Sequence, residues 1–411
     1  MLKKNMFTFF FNSSLLRKTY LFIGLLWAIP ISIFIRILRP IIHIRFGRLL
    51  SPYIGHYAGD TEIYLSEKVH KFSLDGIKYF DIWFHSHSNV CNSQLRKMIE
   101  RTIIILPRVI IAPIHKLNYL IDNNSLYIAK SDFHDRDINN ILDITKPSLK
   151  FTSKEIIKGD FLLKKMGITD DIQFICLLVR DDAYHNNMGY TNYRNVNIET
   201  FYPAIINLTN KGLYVIRMGK KVKKKLEIKH NNIIDYANSI YRSDFMDIYL
   251  ASKCKFVITT SSGWDMVAST IFRKPILYTN MVPVSQIMTW SHRHVFLLKR
   301  HLSKTNNKYL TMSEIFRTID NQHNSSEPRY YELNIELQDN NATEITNSIN
   351  EILENFEEFF VNKTFSISKN QKDFWNLYKD NIKLYNLQKY HGNINSYISE
   401  TFLNNAKEFL N

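Results

Sequence analysis

Apolar residues beyond position 168 gather into short runs divided by polar and glycine-containing stretches, and their period alternates between that of strands and that of helices. Residues 172–179 form a continuous apolar run with a β-branched share, which predicts a strand buried on both faces of a parallel sheet. A helix is expected near 198–210, closed by Lys211 and Gly212, a cation and a glycine that suit a helix end. Residues 213–218 predict a second strand, 232–236 a short third, 245–253 a helix, 256–260 another strand, 263–272 a helix and 275–278 a further strand. Strands alternating with helices mean βαβ units and a parallel sheet, whose ligands sit at the carboxyl ends of the strands.

The first half is less regular. From about 41 to 167 the periodicity is mixed, with an apolar run at 103–111 and a helical segment near 94–101. Toward the other end, 303–340 is polar and loop-rich. Residues 343–360 form an amphipathic helix, and a last helical stretch runs from about 371 to 410. The most apolar run is 20–35, interrupted by Pro30. It is shorter than the roughly 20 apolar residues that a spanning helix needs, and cations flank both ends, so loop charge assigns it no orientation. A monotopic or re-entrant anchor with both flanks in the cytoplasm is expected, with a spanning helix and a buried core helix as the alternatives.

Charge sharpens that picture. The 411 residues carry a formal net charge of +15, which calls for a polyanionic neighbour. Between Met1 and Leu50 the ionised residues are Lys3, Lys4, Arg17, Lys18, Arg36, Arg39, Arg45 and Arg48, and the first acidic residue is Asp60. A one-signed stretch around an apolar run points to an anionic membrane surface rather than to nucleic acid, and no nucleic-acid module is recognisable. Trp27, Phe34 and the aromatic start at 7–11 suit an interface. The three cysteines, Cys91, Cys176 and Cys254, are far apart and form no CxxC; they read as reduced thiols facing the cytoplasm.

Candidate chemistry follows the strands. Residues 256–265, Phe-Val-Ile-Thr-Thr-Ser-Ser-Gly-Trp-Asp, run from a strand through hydroxyls and a glycine into an expected helix, so Thr260, Ser261, Ser262 and Gly263 are candidate phosphate ligands. The competing reading is a ligand-free cap made by Ser262 and Asp265. Arg180 and Asp181 follow one strand, Arg217 and Gly219 another, and Tyr193-Arg194-Asn195 opens the next helix. Arginine at a strand end can fork onto a diphosphate. The Lys220–Lys225 run reads as a solvated loop, or as one that steers an anion. In the first half, His56, Asp60 and Glu62 are candidates for the base that deprotonates a hydroxyl, with a structural role for His56 as the alternative. Asp135-Arg-Asp137 has the spacing of a metal-binding carboxylate pair, but no apolar strand leads into it. His85/His87 and His292/His294 complete no ligand set, so no metal is expected.

Arg45-Phe-Gly47, Ile54-Gly55-His56, Phe151-Thr-x-x-Glu155, Val179-Arg180-Asp181, Tyr193-Arg194-Asn195, Val215-Ile-Arg217-Met-Gly219, Asp235-Tyr236-Ala237 and Ser243-Asp244-Phe-Met-Asp247, in this order, resemble a family of bacterial glycosyltransferases associated with surface-polysaccharide gene clusters. More distantly, the Arg-Asp pair and the Thr-Thr-Ser-Ser loop are similar to GDP-binding elements of GT-B fucosyltransferases, although Leu178-Val179-Arg180 replaces their His-x-Arg-Arg. The resemblance implies a GT-B-like α/β fold of two Rossmann-type domains facing a cleft. Its parts would be an anchor at 1–40, an acceptor-side domain at 41–167, a donor-binding domain at 168–365, and C-terminal helices at 366–411 packing back on the first domain. It further implies a nucleotide-diphosphate sugar as co-substrate, gripped by Arg180 and the Ser261–Gly263 loop, and a glycan or glycolipid acceptor, at the cytoplasmic face of the bacterial inner membrane. A polysaccharide pyruvyltransferase-like enzyme, which would take phosphoenolpyruvate, and a non-catalytic basic membrane-surface protein remain the alternatives.

Overall fold

The computed structural model describes residues 14–75, 79–121, 126–131, 135–183, 193–321, 330–364 and 366–411. Lys3, Lys4 and the aromatic start at 7–11 lie outside the described residues, as does Tyr184 of the motif after the first strand of the second half.

The chain opens on helix α1 (Ser14–Leu38), which contains Pro30. Then come β1 (His43–Leu49), α2 (Ile54–Asp75), β2 (Tyr79–His85), α3 (Ser93–Thr102), β3 (Ile104–Ile105), α4 (Arg108–Ile121) and β4 (Ile128–Ala129). The four strands form a parallel sheet in the order β3-β2-β1-β4. Side-chain period explains its two-sidedness. Phe46 and Phe84 pack with Ala28 and Ile35 of α1 and with Ile111 and Ile114 of α4. Leu49 and Trp83 turn the other way, into the main core. The motif Arg45-Phe-Gly47 is thereby accounted for as structure. Arg45 donates to Asp81 at 2.7 Å and to the Tyr64 hydroxyl at 2.8 Å, and a Cβ on Gly47 would stand 2.3 Å from the Trp83 ring.

After α5 (Ser153–Lys165), opened by a reciprocal Thr152–Glu155 cap, the second half follows the predicted alternation: β5 (Phe174–Leu178), α6 (Tyr202–Asn210), β6 (Tyr214–Arg217), β7 (Ile233–Ile234), α7 (Asp244–Lys253), β8 (Val257–Thr259), β9 (Ile276–Met281) and β10 (His294–Leu298). The polar stretch read as loop holds a small antiparallel sheet of β11 (Arg300–Ser303), β12 (Lys308–Tyr309) and β13 (Ile335–Gln338), with α8 (Met312–Thr318) between the last two. Next come α9 (Ala342–Glu354), α10 (Phe356–Phe360), α11 (Lys369–Leu384), β14 (Tyr397–Ile398) and α12 (Glu400–Leu403). The seven-stranded parallel sheet runs β14-β10-β9-β8-β5-β6-β7.

Two expectations are corrected here. Residues 263–272 are not a regular α-helix, because Val267–Ile271 is a single π-helical turn. Residues 366–411 do not lie chiefly on the first half. β14 adds a strand beside β10, and Tyr378 of α11 donates to the Val284 carbonyl at 3.1 Å, so this segment completes the second sheet. Its tie to the segment before α5 runs through Arg136, which is buried and donates to the Tyr390 and Ile287 carbonyls.

Candidate functional site

In the large sheet the chain builds outward from β5 through β6 to β7, then returns to the opposite edge of β5 with β8. Strand order therefore reverses between β5 and β8, and the loops leaving their carboxyl ends must part there, opening a crevice. Those loops are Val179-Arg180-Asp181 and Thr260-Ser261-Ser262-Gly263. They are tied together at their base, where the Arg180 N–H donates to Thr260 Oγ1 at 2.8 Å and the Thr260 N–H to the Leu178 carbonyl at 3.2 Å.

Asp265 shapes the second loop. Its buried carboxylate accepts from the Ser262 N–H at 2.7 Å and from the Thr259 hydroxyl at 3.2 Å. Burial pushes this carboxyl up to about 7, against the Ser262 N–H, the Thr259 hydroxyl, the Met266 N–H and the charge of Arg194. Ser261 takes a left-handed backbone, φ 58°, uncommon outside glycine. The capping role weighed for Asp265 is thus real. It holds the turn and leaves Ser261 and Ser262 half-buried and Gly263 exposed at the mouth.

The facing wall is the start of α2. A Cβ on Gly263 would lie 2.9 Å from the Gly55 nitrogen, and one on Gly55 3.0 Å from the Gly263 Cα. Two backbones approach this closely only where neither residue has a side chain. One residue on is His56. Its Nδ1 stands 3.3 Å from an oxygen of Asp60, one helical turn away, and 3.9 Å from an oxygen of Asp135. The hydrogen bond to Asp60 raises the imidazole to about 9, against partial burial and with help from the charges of Asp135 and Asp60. At pH 7 His56 is therefore cationic. One nitrogen and two carboxylate oxygens here lie within 4.8 Å of one another, a donor set that suits a divalent cation once the imidazole gives up its proton. The expectation of no metal did not foresee this grouping. Asp137 of the same triplet is spent elsewhere, accepting from the Ile141 and Leu142 N–H groups.

Other candidates separate sharply. Arg194 donates to Gln286 at 3.1 Å and to the Tyr193 hydroxyl at 3.2 Å, and its charge reaches Asp265, so it stands near the same crevice. Arg217 does not join it. It is 1 % exposed and pairs with Asp235 at 3.1 Å, beneath the end of β6. Asp181 accepts from the Ala183 and Lys223 N–H groups, which leaves it a loop organiser. Gly219, at φ 153°, turns the chain into the lysine run, where a side chain would strike Val222. Glu62 is removed from the catalytic set, because it is fully buried and accepts from the Ser148 and Leu149 N–H groups and from Arg273.

The lysine run is exposed, as a solvated loop would be. Lys220, Lys221 and Lys223 line, with Asp182, Ala237 and Asn238, a cavity of about 590 Å³ beyond the ends of β5 and β6. Lys223 reaches Asp182 at 3.0 Å, and Lys220 reaches the Cys91 carbonyl at 3.0 Å. Cys176 and Cys254 are buried free thiols and Cys91 a half-buried one. His85 meets Glu100 at 3.3 Å and His292 meets Asp143 at 3.1 Å, as separate pairs.

No family model matches this chain, and no curated protein matches it. Among solved structures, it is similar to Escherichia coli ADP-heptose LPS heptosyltransferase II, at 10 % identity and TM-score 0.39 over 62 % of this chain and 90 % of that one. It is also similar to a family 9 glycosyl transferase from Veillonella parvula, at 11 % and 0.41 over 62 % and 85 %. A third is E. coli heptosyltransferase WaaC with ADP, at 9 % and 0.33 over 77 % and 99 %. None of these three is a fucosyltransferase, the class to which the Arg-Asp pair and serine loop pointed. Likeness at these scores decides neither family nor activity.

Proposed function

We propose that the protein is a GT-B-type glycosyltransferase that moves a sugar from a nucleotide-diphosphate donor to an acceptor hydroxyl. One observation carries the reading: the crevice where strand order reverses, edged by Arg180 and the Ser261–Gly263 loop, lies directly against the Gly55-His56 turn of the other half. Anion-binding groups and titratable groups thus share one cleft.

In this mechanism the diphosphate rests on Arg180, on the hydroxyls of Ser261 and Ser262 and on the backbone of the Ser261–Gly263 loop, with Arg194 close by. The acceptor oxygen attacks the anomeric carbon, the bond from that carbon to the diphosphate oxygen breaks, and the diphosphate leaves with the electron pair. Fixed positive groups aimed at this developing charge lower the barrier. Because His56 already holds a proton at neutral pH, the acceptor's proton goes to its neighbour Asp60, and the imidazolium adds positive charge beside the leaving group. Arginine, imidazolium and backbone N–H groups supply the counter-charge, and no metal is invoked. The acceptor is a lipid-linked or surface-polysaccharide hydroxyl met at the cytoplasmic face of the bacterial inner membrane.

The test is calorimetric binding of ADP, GDP, UDP, CDP and phosphoenolpyruvate to the full chain, repeated with Arg180→Ala. Selective binding of one diphosphate, weakened at least tenfold in the variant, supports the donor site. If no diphosphate binds, the proposal fails. Phosphoenolpyruvate binding in their place would install the pyruvyl-transfer alternative.

A further inference from the structure

Helix α4, of which only the first four residues belong to the apolar run at 103–111, is paired with the N-terminal helix. Tyr20 donates to the Val109 carbonyl at 2.8 Å, Trp27 to the Ile110 carbonyl at 3.0 Å, and Arg36 to Asn118 at 2.7 Å. Gly24 meets Pro113 so closely that a Cβ would stand 2.5 Å from the proline ring. Asn118, buried between the helices, also donates to Ser32 at 2.9 Å. The contact is thus specific along the length of both helices, and α1 is part of the first domain rather than a tether.

This pairing turns apolar residues outward on both helices. On α1, Phe22, Leu26 and Ile37 are 75 %, 78 % and 69 % exposed, and on α4, Leu120 and Ile121 are 66 % and 60 % exposed. The largest apolar patch of a typical monomer is roughly 300–600 Å², and five large side chains at these exposures already reach that range. Neither helix contains an acidic residue, whereas Arg17, Lys18, Arg36, Arg108 and Lys116 belong to them, with Arg39 following α1 and Asp122 following α4. No helix among the described residues is long and apolar enough to cross a membrane.

We infer that α1 and α4 together form a monotopic docking platform for an anionic lipid surface, with Leu120 and Ile121 inserting at the Ile37 end of the platform and Phe22 and Leu26 at the other. An apolar face carried by two helices that contain cations and no carboxylate complements acyl chains beneath negative headgroups. That charge balance favours lipid as the occupant. The inference deepens the membrane element of the proposed function and rests on it, but it is independent of the donor site.

The experiment is flotation of the full chain with vesicles of phosphatidylcholine alone or with a third phosphatidylglycerol. Wild type is compared with Leu120→Glu/Ile121→Glu and with Phe22→Glu/Leu26→Glu, the fold of each checked by circular dichroism. Wild type should float with anionic vesicles and at least tenfold less with neutral ones, and each double variant should lose binding at least tenfold. Diphosphate calorimetry on the same samples should be unchanged, which separates this inference from the donor site. Undiminished flotation of the α4 variant would reduce the anchor to α1 alone and overturn the platform. Absence of flotation, or a dimer in size-exclusion chromatography that the α4 variant converts to monomer, would reassign the face to protein contact.

Discussion

Glu62 links three parts of the molecule that are distant in sequence, and its removal has a calculable consequence. The residue lies on α2, is fully buried, and accepts at 2.8 Å and 3.0 Å from the Ser148 and Leu149 N–H groups and at 3.2 Å from Arg273. Arg273 in turn donates to the Leu142 carbonyl at 3.0 Å. Burial raises the Glu62 carboxyl, against Arg273 and the two N–H groups, and it lowers Arg273 against the pull of Glu62. Both shifts say that desolvation opposes the pair, so the pair adds little net stability while either partner alone is costly. Glu62→Ala leaves a buried guanidinium and two buried N–H groups unmatched, for which a loss of about 3–5 kcal/mol is expected. Arg273→Met should cost a similar amount, and Glu62→Ala combined with Arg273→Met less than the sum by about 1.5 kcal/mol or more. Urea unfolding at pH 7, followed by circular dichroism, measures all three. If Glu62→Ala unfolds within about 0.5 kcal/mol of wild type, the buried-clamp reading is wrong and Glu62 returns to the catalytic candidates.

Two further outcomes are expected. His56 should titrate near 9 by NMR, and Asp60→Asn should move it toward 6.5, because the Asp60 hydrogen bond is the main cause of the shift. A folded pKa raised above the unfolded value stabilises fully below about 6.5 and fades as pH rises through about 9. With the side chain 41 % exposed, solvent screening limits this contribution to about 1 kcal/mol. In turnover, once a donor is known, the rate should fall above pH 9 as the imidazolium is lost, whereas a rate that climbs through pH 9 would make neutral His56 the base instead. Chelation with EDTA should leave turnover unchanged; loss restored by Mn²⁺ and abolished in Asp135→Asn would give the His56–Asp60–Asp135 triad a cation.

What was legible in the sequence was governed by local rules. Continuous apolar runs ending at Arg180 and Thr260 announced strands buried on both faces, and a parallel sheet confines its ligands to the carboxyl ends of such strands, so the loops after β5 and β8 could be named as candidates without coordinates. The strands β1 and β2 gave a weaker signal, since each sends alternate residues into two different cores. The polar stretch near 303–340 concealed β12 and β13, short antiparallel strands with no more than one buried side chain each, which need no apolar run.

Tertiary structure alone decided which candidates meet. Arg217 and Arg180 both follow strands and look alike in sequence. Only strand order separates them, with Arg180 at the reversal point and Arg217 beneath β6, buried against Asp235. His56, Asp60 and Glu62 share a single helix, yet the first two are half-buried beside Asp135 and the third is buried, because the pairing of α2 with Arg273 and the Ser148-Leu149 turn fixes its rotation. Asp135 joined the site, and α4 joined α1, across separations of about 80 residues. Sequence period specifies which face of an element is apolar; which other face it meets depends on the chain's path through space, and no local pattern encodes that.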